Sequence, residues 1–239
     1  MELGQKTVNF LATTRGRDKL FRVIQYFCRM LAGLLRTRLV PAADRATKLS
    51  ASMAITRKVL RFGLPLDLML QIIRRYQAGG NQNLGWLRSL SQFFGALYFL
   101  SDHILYAYKI GLLVERPKSS IVSTTDVFNN LVWLLEDVLC IVADAIDVHN
   151  VQLKLQEMRD KGMHSKQSEG RKLYVDTLKQ NNLLLWDIVR AAGDVPVRNR
   201  QIIIFFLDNT KFSSTFVGAV GVVTSLIGCY QAWLRANPS

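Results

Sequence analysis

The side chains able to do covalent or metal chemistry are few and poorly placed for it. His103, His149 and His164 stand far apart, and no His-Glu-x-x-His pair occurs. A glycine-rich phosphate loop ending in Lys-Ser or Lys-Thr is absent, as is a Gly-x-Ser-x-Gly elbow. Asp137 and Asp144 fall on one face of a helix, where paired carboxylates can approach a cation, but no histidine pair accompanies them. Cys28, Cys140 and Cys229 are odd in number, widely separated and each set among apolar residues, so they read as reduced packing residues. The expectation is a protein that is not an enzyme and has no cofactor and no metal.

The remaining chemistry is ionic, and it is patterned. The net charge is +13, and residues 1–80 hold 15 Lys or Arg against 4 Asp or Glu, which concentrates the excess in the first third. Such a region seeks a polyanion, either nucleic acid or anionic lipid headgroups. Arg15, Arg22, Arg29 and Arg36 recur every seven residues, on the opposite side of a helix over 18–38 from Leu20, Ile24, Phe27 and Leu31. That stripe is open to two readings: a solvated face, or a partner for the acidic stripe Glu136, Asp137, Asp144 and Asp147.

A second helix is predicted over 47–62, where Arg57, Lys58 and Arg61 oppose Leu49, Met53, Ile55, Val59, Leu60 and Phe62. A helix with one apolar and one cationic face lies in the headgroup plane of a bilayer. Its six apolar residues are therefore the expected membrane-inserting face, and its three cations the expected contacts to anionic lipid. Wide apolar faces on the basic helices disfavour nucleic acid as a partner.

These segments sit in an all-helical frame. Period-2 runs bounded by turn signals are scarce, and stretches of helical spacing fill the chain. Pro41 is expected to end the first helix, Gly63 and Pro65 to break or kink the chain before 66–76, and Gly79-Gly80-Asn81 to turn it. Helices are predicted over 86–113, with Arg88, Asp102 and Lys109 on one stripe and Asp102 paired to Lys109, and from a cap at Thr124 or Thr125 to Met158. Linkers are expected around Pro117 and over 161–170, a further helix over 173–192, a basic connection containing Pro196 over 193–200, and a short apolar run over 202–207.

Residues 212–234 then contain no acidic or basic side chain and are flanked by Lys211 and Arg235. As a helix they reach about 34 Å, enough for the hydrocarbon core of a bilayer at about 30 Å. Tyr230 and Trp233 suit the interface at one end. The competing reading is the central helix of a soluble bundle. Ser214 and Gly218, then Gly221 and Ser225, are small residues four apart, the spacing that lets helix backbones approach closely in lipid. They are the expected packing face between copies.

Three stretches resemble the peroxin-eleven family: Gly16-Arg17-Asp18-Lys19-Leu20-Phe21-Arg22-Val23-Ile24-Gln25-Tyr26, Arg57-Lys58-Val59-Leu60-Arg61-Phe62-Gly63, and Gly221-Val222-Val223-Thr224-Ser225-Leu226-Ile227-Gly228-Cys229-Tyr230-Gln231. The resemblance implies an integral peroxisomal membrane protein with both termini cytosolic, self-association into homo-oligomers, and cooperation with a fission machinery that includes a dynamin-related GTPase. The fold expected is all-α: a membrane-associated helical bundle with amphipathic N-terminal helices and a C-terminal transmembrane helix. Its parts are basic amphipathic membrane-binding helices over 1–80, a central helical region, partly membrane-associated, over 81–211, and the transmembrane helix with a short tail over 212–239. The function expected is to bind and curve the peroxisomal membrane through an amphipathic helix and to promote elongation, fission and proliferation. The alternative is a channel for small metabolites, lined by the charged stripes.

Overall fold

The structure, a computed structural model, describes residues 2–78, 82–114, 120–165, 169–198 and 213–237. The expected turn at Gly79-Gly80-Asn81, the linker at Pro117, the apolar run over 202–207 and Phe212 lie outside them. The described residues form eight helices and no strand: α1 (Glu2–Ala12), α2 (Thr14–Leu35), α3 (Val40–Leu60), α4 (Leu64–Gln77), α5 (Gln82–Lys109), α6 (Ile121–Asp160), α7 (Arg171–Arg198) and α8 (Ser214–Ala236).

Local chemistry accounts for most of the boundaries. The Thr13 side chain accepts a hydrogen bond from the Gly16 amide at 2.9 Å and caps α2, and Ser213 does the same for α8 through the Phe216 amide at 3.1 Å. Pro41 and Pro65 each occupy the first turn of the helix that follows, where a missing N–H costs nothing. Pro41, expected to end the first helix, instead opens α3, because α2 already stops at Leu35. Thr124 and Thr125 lie inside α6 and do not cap it, because the helix already begins at Ile121. Pro196 lies within α7. Packing holds that last turn, since Asp194 pairs with Arg22 and Val197 packs with Tyr26 and Val217.

Successive contacts close the helices into a ring. α3 packs on α2, α2 on α8, α8 on α7, α7 on α6, α6 on α5, and α5 on both α4 and α3. The tightest seam is α2 against α8. A side chain added at Gly218 would meet the Met30 backbone nitrogen at 2.5 Å, one at Gly221 would strike the Tyr26 ring, and one at Gly228 would touch Lys19. Residue numbers fall on α8 as they rise on α2, so the two helices run antiparallel. Glycine is needed there because the backbones come closer than any side chain allows.

Candidate membrane-binding face and polar interior

Between the helices the ring buries charged and polar groups alongside apolar contacts such as Tyr98, Val132 and Trp133, and on its outside it exposes many large apolar side chains. Asp18, Arg22, Arg57, Asp102, Asn129, Asp144 and Asp194 are buried, whereas Phe27, Phe62, Leu66, Tyr76, Phe93, Leu131 and Trp186 are exposed. A soluble bundle sorts its residues the other way, since exposed apolar surface costs free energy in water. Against hydrocarbon that cost vanishes, and buried charges become tolerable where they meet partners.

The interior ions are paired across helices. Arg22 of α2 pairs with Asp194 of α7 and lies over the Tyr26 ring, 5.5 Å from its centroid. Arg57 of α3 donates through Nε to Asp18 of α2 at 3.0 Å and through Nη1 to Gln25 at 2.7 Å. Arg61 approaches Asp18 at 3.4 Å and donates to the Tyr98 hydroxyl at 3.2 Å, and Lys58 pairs with Asp102 of α5. Arg88 of α5 bonds both Asp144, at 2.8 Å, and Asp147 of α6. Asn129 donates to the Tyr98 carbonyl at 2.9 Å and the Ser101 hydroxyl at 2.8 Å.

Electrostatics follow the pairing. Burial works against the Asp18 carboxylate, yet Arg57, Lys19 and Arg61 outweigh it and hold the group below the usual carboxylate range. Asp194 is likewise opposed by burial and held low by Arg22. Lys19 fares differently: burial pushes its ammonium down to about 7, Asp18 offsets only part of this, and Arg190, Arg22 and Arg57 add to it. Helices α2 to α8 together line a central cavity of about 540 Å³ that contains most of these groups.

The expected lipid-contacting cations are therefore elsewhere than the helical period suggested. Arg57 is buried, Lys58 and Arg61 are largely so, and all three serve Asp18 and Asp102. Sequence distance concealed this, because the acids that draw them inward lie on other helices. Of the apolar set, Leu49, Val59 and Phe62 are exposed, whereas Met53, Ile55 and Leu60 are half-buried. Asp102, expected on Lys109, instead serves Lys58 and approaches Arg61 at 4.0 Å. The arginine stripe is split: Arg15 meets Asp67 at 2.9 Å and Arg22 meets Asp194, so neither reaches the acidic stripe of α6.

The small residues of α8 are also spent within the chain. Gly218, Gly221 and Ser225 are buried, the two glycines against α2, and Ser214 lies exposed at the first turn. Gly218, Gly221 and Ser225 are thus closed to a second copy, and Ser214 alone of the four is open. Sequence reasoning also missed an outer face on α4. Leu66, Met69, Leu70, Ile73 and Tyr76 are all exposed, with Leu66 at 71 % and Tyr76 at 90 %, and their spacing of three and four residues makes one continuous apolar stripe. That spacing was a sufficient signal. Exposed Arg74 of α4 and exposed Arg45 and Lys48 of α3 are the cations these helices turn outward. Among the described residues no group of three or more His, Cys, Asp or Glu side chains is arranged to hold a metal ion.

The chain thus carries one helix, α8, without a charged side chain before Arg235 and long enough to cross a bilayer, joined to a bundle with ion pairs inside it, and the family model for peroxisomal biogenesis factor 11 matches residues 5–233. The chain belongs to the peroxisomal biogenesis factor 11 family. It is 24 % identical to peroxisomal membrane protein PMP30B of Candida boidinii over 95 % of this chain and 93 % of that one. Identity is 21 % with the peroxisomal membrane protein 11 homolog of Dictyostelium discoideum, covering 96 % and 94 %, and 24 % with human peroxisomal membrane protein 11C, covering 93 % and 91 %. No solved structure matches the chain. Members of the family are peroxisomal membrane proteins of biogenesis, and α8 is the one helix among the described residues long and apolar enough to span a bilayer.

Proposed function

We propose that this peroxisomal biogenesis factor 11 family member curves the peroxisomal membrane by inserting the outer face of α3 and α4 into one leaflet, and so promotes elongation and proliferation of the organelle. The supporting observation is the stripe Leu66, Met69, Leu70, Ile73 and Tyr76, exposed along α4, with Val59 and Phe62 exposed at the end of α3, Phe62 also meeting the His103 ring edge-on at 4.8 Å. Apolar side chains placed at the acyl boundary of one leaflet expand that leaflet alone, which favours curvature. The anionic bilayer is met by Arg45, Lys48 and Arg74, the outward cations of these helices, while α8 provides the permanent anchor. Copies gather through the outward side of α8, where Phe216, Val223, Leu226, Tyr230 and Leu234 are exposed, since its small-residue side is occupied by α2. With both termini on the cytosolic side, the elongated membrane is then presented to a fission machinery containing a dynamin-related GTPase.

Leu66→Asp with Leu70→Asp in the full-length protein tests the wedge. The variant should stay in the membrane through carbonate extraction, through α8, yet fail to tubulate anionic vesicles or elongate organelles on overexpression. Undiminished elongation by this variant refutes the role of α4.

A channel for small metabolites is the second reading, favoured by the polar cavity enclosed by the ring. Most of its charges are neutralised in pairs, which leaves little field to drive ion flow. Conductance of the purified protein in planar bilayers, with a selectivity altered by Asp102→Asn, would establish it.

A further inference from the structure

A second cavity, of about 510 Å³, lies between α2, α7 and α8 and is closed on one side by the turn from α3 to α4. Four cations line it: Arg15, Lys19, Arg190 and Arg235. Two carboxylates line it too, but each is engaged, Asp67 by Arg15 at 2.9 Å and Asp187 by Arg190 at 3.2 Å. The neighbouring Asp18 is taken by Arg57 and Arg61. Lys19 and Arg235 form no ion pair among the described residues, so the cavity has two basic side chains more than it has acids, Arg235 charged and Lys19 held near 7 by burial until an anion arrives to favour its ammonium. Donors are in excess as well. Gln231, 6 % exposed, has an amide nitrogen with no hydrogen-bond partner, and the Arg190 Nε has none. Leu60, Leu64 and Ala232 form an apolar wall beside them.

From this arrangement we infer that the cavity is a binding site for a phosphate group carried on an apolar or glycerol-like body. Uncompensated cations and orphan donors call for a ligand that only accepts hydrogen bonds and carries one to two negative charges. The donors come from three helices, α2, α7 and α8, a non-planar set that suits the oxygens of a tetrahedral phosphate better than a flat carboxylate. The volume is in the range of small-ligand sites, roughly 300–1,000 Å³. Two sources share this chemistry: the headgroup of an anionic phospholipid and a soluble phosphomonoester.

The test uses the full chain in a non-ionic detergent, with thermal unfolding and calorimetry as readouts and four probes: glycerol 3-phosphate, dihexanoyl phosphatidic acid below its micellar concentration, the zwitterionic dihexanoyl phosphatidylcholine, and hexanoate. Saturable binding of either anionic phosphate probe is expected, at least tenfold tighter than hexanoate. Binding of glycerol 3-phosphate assigns the soluble source, and binding of phosphatidic acid alone assigns the lipid. Lys19→Met and Gln231→Leu should each weaken binding tenfold or more, Lys19→Arg should retain it, and the outlying pair Lys154→Ala and Arg159→Ala, exposed on α6, should leave it unchanged. No saturable phosphate binding, equal affinity for hexanoate, or equal losses in the site and outlying variants would each overturn the assignment. Because the curvature reading is tested at Leu66 and Leu70, which do not line this cavity, and this site at Lys19 and Gln231, which do, failure of this site and failure of the curvature reading give different results.

Discussion

The seam between α2 and α8 and the outer face of α3 and α4 are both built on helical periodicity, but their sides are used in opposite senses. In the seam, Gly221 and Gly218 face inward against Tyr26 and Met30, Ser225 is buried beside them, and bulky Phe216, Val223 and Leu226 face out. On α3, Arg57 faces inward to Asp18 and Val59 faces out. In both, the residues that a soluble helix would bury are turned away from the protein. The difference is in what each inner side supplies: the seam supplies closeness, which lipid does not oppose, and α3 supplies ion pairs, which lipid enforces. Disrupting the two kinds of contact should therefore have separable consequences.

The largest effect is expected on the outer face. Leu66→Asp with Leu70→Asp removes two insertions worth about 1.5–3 kcal/mol each, so vesicle affinity of that face should fall by a factor of about 100 or more. Tubulation and flotation assays on the full chain measure it, and the unfolding temperature should hardly change because both residues are exposed. A large drop in that temperature would show that α4 packs on protein.

Next comes the ionic interior. Asp194→Asn leaves Arg22 buried beside a neutral amide and should cost about 3–5 kcal/mol. Arg22→Met combined with Asp194→Leu should recover most of that loss, since removing both charges removes the desolvation they had to overcome. Thermal unfolding in detergent separates the two variants, and a double variant no better than Asp194→Asn would contradict the pairing.

The seam ranks third. Gly218→Leu forces a side chain into the Met30 backbone, a neighbour unable to swing aside, and should destabilise the fold by about 1–3 kcal/mol. Crosslinking between copies should survive at conditions where the variant remains folded. Loss of crosslinking at an unchanged unfolding temperature would return the small residues to a role between copies.

How much of this was legible in the sequence depended on whether the deciding information was local. The span of α8 follows from an uninterrupted uncharged stretch, and the helices from spacing within each segment. α1 escaped notice because its apolar residues are few, and its place is set from outside by Phe10 against Trp233, with ring centroids 5.7 Å apart, and by Asn9 against Asn237. The direction of α3 was illegible for a related reason. Periodicity separates Arg57, Lys58 and Arg61 from Val59 and Phe62, but it says nothing about which side meets a neighbour. That choice is made by Asp18 and Asp102, lone acids on other helices, 39 and 44 residues from their partners Arg57 and Lys58. The same holds for the small residues of α8, whose spacing announces a close helix contact without saying whether the second helix comes from this chain or another.

The smallest expected effect is the most direct measure of which cations face lipid. Lys48 is exposed on α3, and Lys48→Ala should weaken binding to anionic vesicles by about 1 kcal/mol, roughly fivefold, with no loss at neutral vesicles. Since a Debye length is about 8 Å at physiological ionic strength and about 3 Å at 1 M, the difference between wild type and variant should fade as salt is raised. Arg57→Ala should behave in the opposite way. It removes the buried partner of Asp18, so the unfolding temperature should drop, while the salt dependence of vesicle binding stays as in the wild type for whatever protein remains folded. Measured side by side over a salt series, the two variants place each cation by its response. If Arg57→Ala lowers the salt slope and Lys48→Ala does not, α3 presents its other side to the membrane and the inward pairing of Arg57, Lys58 and Arg61 must open when the protein binds.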